Sequence, residues 1–251
     1  MTNGLIHALR AEVTKTLTLR SIQVSLLSAI ALPPTLAFVS GLAFNPSSPA
    51  GASFPIESHG FETAGFDQPL IVLVAALIAG TEYLDGQLRS TLIATPQRGR
   101  VLAAKLIIIA VFAALIGGIS TTAAVLVKHA ALGEHGLSPT QFTPAMGWNL
   151  LGVVVNYTLI ALISTAITLL ARTIIVTLIV LVPLVLGLTI SLLGVFPPLK
   201  YLPDLAGIQL LTPYPDIGLL EPVTGGLVMA GWALALTVTS AGFFLRRDTR
   251  S

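Results

Sequence analysis

The sequence predicts an all-α integral membrane protein with six transmembrane helices, and three observations carry that prediction. Of its 251 residues, 54% are hydrophobic and only 10% charged, against about 25% charged in a soluble domain. Too few charges remain to cover a water-facing surface of that size. The apolar residues also gather into runs long enough to cross a bilayer. Finally, eleven of the thirteen Lys and Arg residues fall at alternate ends of those runs: Arg10, Lys15 and Arg20; Arg89, Arg98, Arg100 and Lys105; Arg172; Arg246, Arg247 and Arg250. Lys128 and Lys200 break the alternation. Cytoplasmic loops hold the excess of Lys and Arg, so the pattern predicts an orientation with both termini cytoplasmic. On that assignment the inner side has 11 basic and 4 acidic residues, net +7, and the outer side has 2 and 7, net −5. The mild total of +2 conceals this polarity.

The elements follow in order. Leu5, Ile6, Leu9, Val13 and Leu17 recur at helical spacing, with Arg10, Glu12, Lys15 and Thr16 on other faces. This predicts an amphipathic N-terminal helix lying in the membrane interface, with a plain polar lead-in as the alternative. The first span covers 21–44. A cleaved signal peptide is a rival reading, but the apolar run exceeds an h-region of about 7–15 residues. Pro33 and Pro34 fall inside the span and predict a kink. Residues 45–68 read as an outer loop containing His59 and three acids. The second span, 66–83, has a short apolar core and reaches spanning length only by including Phe66 and continuing through Tyr83. The third covers 101–127, with Lys105 expected to snorkel at its inner end, and Lys128 opens the next outer loop.

From Gly147 to Leu193 only Arg172 is charged. A single helix of those 47 residues would be about 70 Å long, more than twice the hydrocarbon thickness of ~30 Å. Two spans, 147–171 and 173–193, must therefore meet at Arg172. Between Phe196 and Val223 lie six prolines among many Leu and Ile residues. No continuous helix survives that, and the apolar content argues against a solvated loop. A broken re-entrant hairpin in the outer leaflet fits, with a short helix capped by Asp204 and ending near Thr212. The last span covers 224–245, stopped by Arg246 and Arg247. No repeat and no second domain interrupt the chain, so residues 1–251 read as a single transmembrane domain.

Composition also limits the chemistry. With no Cys, disulfides, thiolate metal sites and cysteine catalysis are excluded. The pI near 9.2 points to topology and anionic headgroups rather than nucleic acid, because the basic residues are spread over several loop ends. His129 and His135 flank Glu134, a weak pattern for a metal site with no defined element beneath it. No Walker-type GxxxxGK[ST] loop is present, so the chain cannot bind nucleotide through a P-loop of its own. Polar residues within the spans are few. Asn156 and Tyr157, with Ser164, Thr165 and Thr168, share one helix; Asn156 fits an interhelical hydrogen bond better than a substrate ligand. The lack of midplane ionisable residues weakens an ion-driven carrier, and no nucleophile–base pair supports a membrane enzyme.

The richest segment is the inner loop 82–100. Leu84, Leu88, Leu92 and Thr95 recur at helical spacing opposite Asp85 and Arg89, and Pro96 ends that helix. Such a surface helix could lie on the membrane, dock in a partner's groove or merely anchor the topology. Glu82-x-x-x-Gly86-x-Leu88-Arg89-Ser90-Thr91-Leu92, followed by Pro96-x-Arg98-x-Arg100 and Ala104-Lys105, resembles the inner loop of ABC-2 type transporter permeases of actinobacterial style. Arg10-Ala11-Glu12-x-x-Lys15 and Tyr201-Leu202-Pro203-x-x-Ala206-Gly207 resemble the same family's opening and its outer segment. Gln87 and Asp85 depart from the usual residues. The resemblance implies the membrane subunit of an ATP-driven ABC exporter in a bacterial plasma membrane, most simply a homodimer. The chain itself needs no cofactor, because ATP is bound by a separate ATP-binding subunit. Glu82, Gly86 and Arg89 would transmit motion from that partner, with Arg98 and Arg100 as anchors or contacts. A non-transporting membrane scaffold that docks a cytoplasmic partner is the alternative.

Overall fold

The computed structural model describes residues 2–45, 55–83, 97–212 and 218–246. Every regular element among them is helical: α1 (Thr2–Thr18), α2 (Arg20–Leu42), α3 (Ala64–Gly80), α4 (Arg98–Ala131), α5 (Pro144–Ala171), α6 (Ile174–Pro183), α7 (Thr189–Leu192), α8 (Pro203–Ala206) and α9 (Pro222–Arg246), with short 3-10 turns between. Six helical segments are long and apolar enough to cross a membrane: α2, Phe61–Gly80, α4, α5, Ile174–Leu192 and α9. These are the six spans of the sequence pattern, with shifted ends.

The shifts have physical causes. The second span starts earlier than expected, because a 3-10 turn at Phe61–Thr63 leads directly into α3. Asp67 and Gln68, at the overlap of the expected loop 45–68 and the expected span 66–83, thus lie in the opening turns of a buried helix. Pro69 resembles a helix start but is tolerated near an N-terminus, where few carbonyls precede it. At its other end α3 passes into a 3-10 turn, Thr81–Tyr83. The third span runs on to Ala131, so Lys128 and His129 are helical rather than loop residues. Lys128 stays in the helix because its ammonium finds Glu62 at 3.0 Å and Ser40 Oγ at 2.8 Å. α2 continues as one helix through Pro33 and Pro34.

α5 and α6 meet where the charge pattern requires. Arg172 closes α5 in the left-handed region (φ 55°), and Thr173 caps α6 by accepting from the Ile175 N–H at 3.3 Å. The fifth span is not the unbroken helix the sequence suggests. Pro183 has no N–H to give the preceding turn, a wide π-turn follows at Leu184–Leu188, and Gly187 takes φ 105° before α7 resumes. The Pro-rich segment folds as a 3-10 turn at Pro197–Tyr201, then α8, then a 3-10 turn at Ile208–Leu210. Asp204 is not its N-cap. Leu202 holds that position without a side-chain bond, and Asp204 lies inside the first turn.

α3 is the central helix. Two-thirds of its spanning window is buried, against 17% for each of the last two spans. Hydroxyls stitch it to its neighbours: Ser164 donates to the Val72 carbonyl at 2.8 Å, and Thr168 and Thr177 join α5 to α6 at 2.8 Å. Such bonds, with close small-residue contacts, hold helices together where no hydrophobic gradient exists between them. The antiparallel packing gives two ends. One collects α1, Arg98, Arg100, Lys105 and Arg172, and is called the basic end below. The other collects Glu62, Lys128 and the broken 197–212 segment, and is called the hairpin end.

Candidate functional site

At the basic end, α1 packs on the bundle through Ala8, Glu12 and Thr16, one residue per turn. Glu12 and Thr16 are the protein-facing residues, while Ile6 and Leu17 stay exposed. Glu12 is 3% exposed and meets the Lys105 ammonium of α4 at 2.7 Å. Lys105 does not snorkel. It is 1% exposed, and also donates to the Ile78 carbonyl of α3 at 3.1 Å. Lys15 reaches the other Glu12 oxygen at 3.1 Å. Burial pushes the Glu12 carboxyl up, but Lys105 and Lys15 more than reverse this, holding it below the ordinary carboxylate value. One ion pair therefore clamps α1, α3 and α4. A Cβ on Gly4 would lie 2.5 Å from an Arg100 guanidinium nitrogen, so the Arg100 head also rests on α1.

The inner-loop candidates spread around this clamp. Gly86 and Arg89, with the expected helix between Leu84 and Thr95, lie outside the described residues. Glu82 belongs to the 3-10 turn that ends the second span. Arg98 and Arg100 open α4, two turns or less before Lys105. The helices that bracket the 84–96 segment, α3 and α4, are thus fastened to each other a short distance away by Lys105. Sequence reasoning gave Glu12 and Lys105 no joint role. Each stood in a quoted motif, but 93 positions separate them.

The hairpin end is held by neutral groups. Asn156, fully buried on α5, accepts from Gln68 Nε2 at 2.8 Å and donates to the Gly207 carbonyl at 2.8 Å. It therefore joins three elements, as an interhelical hydrogen bond should. Tyr157, also fully buried, donates to the Ala64 carbonyl at 2.8 Å. Asp67 stands beside Gln68 with 0% exposure. The 197–212 segment is further fixed by Trp232, whose indole N–H donates to the Tyr201 carbonyl at 2.8 Å. Glycines let the backbones touch: a Cβ on Gly225 would lie 2.0 Å from the Ala206 carbonyl oxygen, and one on Gly152 2.4 Å from that of Leu210. Asp204 is buried and accepts from Thr189, and burial pushes its carboxyl above the ordinary value.

Near this end, His59 stacks edge-on against Phe44 at 5.4 Å. Burial pushes its imidazole below the usual histidine value, Glu62 opposing and Lys128 adding to the effect. His129 Nδ1 accepts from the Leu137 N–H at 3.1 Å. Among the described residues no three His, Asp or Glu side chains converge to hold a metal.

These features give a polytopic helical bundle with an ion-pair clamp beside a cytoplasm-type basic loop and no nucleotide-binding loop of its own. A family model described as ABC-2 family transporter protein matches residues 8–191. The chain belongs to that family. The match takes in α1 from Ala8 onward with Glu12, the whole inner loop, the clamp, and Gln68 and Asn156 of the relay, and ends before Gly207. No curated protein matches the chain. Family membership makes it a membrane transport component, not itself catalytic, and implies pairing with an ATP-binding subunit.

Proposed function

We propose that the chain is the permease subunit of an ATP-driven exporter, coupled to a separate ATP-binding subunit through the inner loop 82–100. The observation that supports this most is the clamp. Lys105 ties the end of α3 to the start of α4, the two helices the loop connects, and Glu12 adds α1 to the same point. A push on the loop then moves three helices as one body. Glu82, Gly86 and Arg89 receive the push in this reading, and Arg98 and Arg100 anchor it. The exposed Ile6 and Leu17 of α1 face lipid, so that α1 lies along the cytoplasmic leaflet. Both termini are cytoplasmic, residues 1–251 act as one permease domain, and two copies enclose the pathway in a bacterial plasma membrane. The 197–212 hairpin closes the external end. Export rather than import rests on the family resemblance alone.

The test is a reconstituted complex with the ATP-binding subunit. Arg89→Glu is expected to abolish transport-linked stimulation of ATP hydrolysis, and unchanged stimulation removes Arg89 from the mechanism. Stable isolation of the chain without any ATP-binding subunit, together with no nucleotide-dependent transport, favours the scaffold reading instead.

A further inference from the structure

Three acids are buried among the described residues, and two have partners. Glu12 has Lys105 and Lys15, and Asp204 has Thr189. Asp67 is the exception: its side chain is fully buried, and neither carboxyl oxygen makes a hydrogen bond of ordinary geometry. The Tyr157 hydroxyl lies beside that carboxyl. Its single proton goes to the Ala64 carbonyl at 2.8 Å, but its oxygen can still accept a bond. A neutral Asp67 completes this arrangement. Its O–H donates to Tyr157, which donates to Ala64. An ionised Asp67 has only acceptors to offer; the one donor beside it is the Tyr157 O–H, and taking that proton strips the Ala64 carbonyl of its bond and still leaves the second carboxyl oxygen bare.

Among the described residues no charge compensates it either. On the elements packed against α3, Glu62 and Lys128 pair with each other at 3.0 Å, with His59 and His129 beside them. Arg20, Tyr83, Arg98, Arg100 and Lys105 belong to the basic end. Asp204 sits across the hairpin on Thr189. Among the described residues, Tyr157 alone of the titratable groups bears on the Asp67 carboxyl. A lone carboxylate in such a place has a desolvation cost that excludes it from the packed arrangement.

We propose that Asp67 is a proton-binding site, and that the proton it holds keeps the 197–212 hairpin docked on α5 and α9. The link is structural. Tyr157 of α5 is the group against the carboxyl, so water that solvates an ionised Asp67 there parts α3 from α5. Asn156 is the adjacent residue on α5, and it holds both Gln68 and the Gly207 carbonyl. Parting the helices there breaks the Gln68 bond and frees the hairpin. This inference goes beyond the coupling reading and does not depend on the ATP-binding partner.

The chain has no native cysteine, so Thr212→Cys gives a single reporter at a hairpin position that is 2% exposed. Thiol labelling is measured on the purified permease in lipid nanodiscs, without ATP-binding subunit, relative to the same cysteine in denaturant. Labelling is expected to rise by up to about tenfold per pH unit above the ordinary aspartate value of about 3.9. Measured with Asp204→Asn present, which removes the hairpin's own titrating carboxyl, the slope should persist, and labelling should be flat when Asp67→Asn is added. Infrared spectra at neutral pH should show a protonated-carboxyl band that Asp67→Asn removes. If Asp67→Asn does not fold, Tyr157→Phe replaces it. Loss of the phenol oxygen, the group that lies beside the carboxyl, must move the upper end of the labelling transition. Flat labelling in the parent, a slope that survives Asp67→Asn, an unmoved transition in Tyr157→Phe, or labelling that follows sodium rather than pH overturns the proposal.

Discussion

At the basic end, Glu12 and Lys105 meet as full charges at 2.7 Å inside the bundle. At the hairpin end, Gln68, Asn156 and Gly207 meet as neutral amides, both bonds at 2.8 Å. The two junctions each join three elements but differ in how they fail. A buried ion pair attracts strongly at short range and leaves a stranded charge if one member is lost. It suits a joint that must stay closed while force passes through it. An amide relay exchanges partners with water at small net cost, each bond contributing about 1 kcal/mol. It suits a contact that opens and closes. The asymmetry agrees with a permease that is pushed at one end and gated at the other.

The comparison is most easily broken at Lys105. Lys105→Met leaves Glu12 buried with only Lys15, which is one-third exposed, as a partner. We expect a loss of about 3–5 kcal/mol, read as a lowered thermal midpoint in detergent. Adding Glu12→Gln should recover most of that loss, because two neutral groups of similar shape replace the pair. If the double variant is as unstable as the single, the clamp is not a charge effect.

Next comes Gly225→Ala. Its Cβ would meet the Ala206 carbonyl oxygen, a backbone atom with no freedom to rotate away. The hairpin must shift off α9, at an expected cost of about 1–3 kcal/mol. Protease sensitivity of the hairpin should rise while the clamp is untouched. Asn156→Leu removes two 2.8 Å bonds and strands the Gly207 carbonyl, for about 1–3 kcal/mol. Its effect should fall on the hairpin end alone, which separate reporters on α1 and α8 would show.

The pH response separates the ends by sign. Glu12 is held below its ordinary value, so its contribution is complete above about pH 4.3 and lost as pH falls through the lowered value. Asp204 is raised, so its contribution is complete below the ordinary aspartate value and lost as pH rises through the raised one. Acid should therefore loosen α1 and alkali the hairpin, as read by hydrogen exchange of each segment. The smallest effect is expected at Glu62–Lys128. The Glu62 side chain is 38% exposed, so solvent screens the pair, and Glu62→Gln should cost no more than about 1 kcal/mol.

Much of this architecture was legible in the residues. The alternation of basic clusters placed all six spans, and the single charge in 147–193 located the turn at Arg172. Asn156 was readable as a helix-to-helix bond because an amide in an apolar run needs a partner. The clamp was not readable, since Glu12 and Lys105 lie 93 positions apart and each looks like a headgroup anchor beside an apolar run. Asp67 was hidden by Pro69, which suggests a helix start and consigns the preceding residues to loop. Nothing local shows that the turn at Gly60, with its N–H bonded to Glu62, sends the chain into helix at Phe61, five residues before the expected start at 66. The break in the fifth span could have been seen: Pro183 followed by Gly187 is a proline and a flexible residue one turn apart.

The central claim is that the loop between the second and third spans meets the cytosol, where an ATP-binding subunit can push on it. Gln97 is exposed and opens the described part of α4's approach. Gln97→Cys, the sole thiol in the chain, can be labelled in intact cells and in inverted vesicles with a membrane-impermeant reagent. The account predicts labelling in inverted vesicles only, with protection when the ATP-binding subunit is bound. Labelling of intact cells would put the loop on the wrong side of the membrane and contradict it.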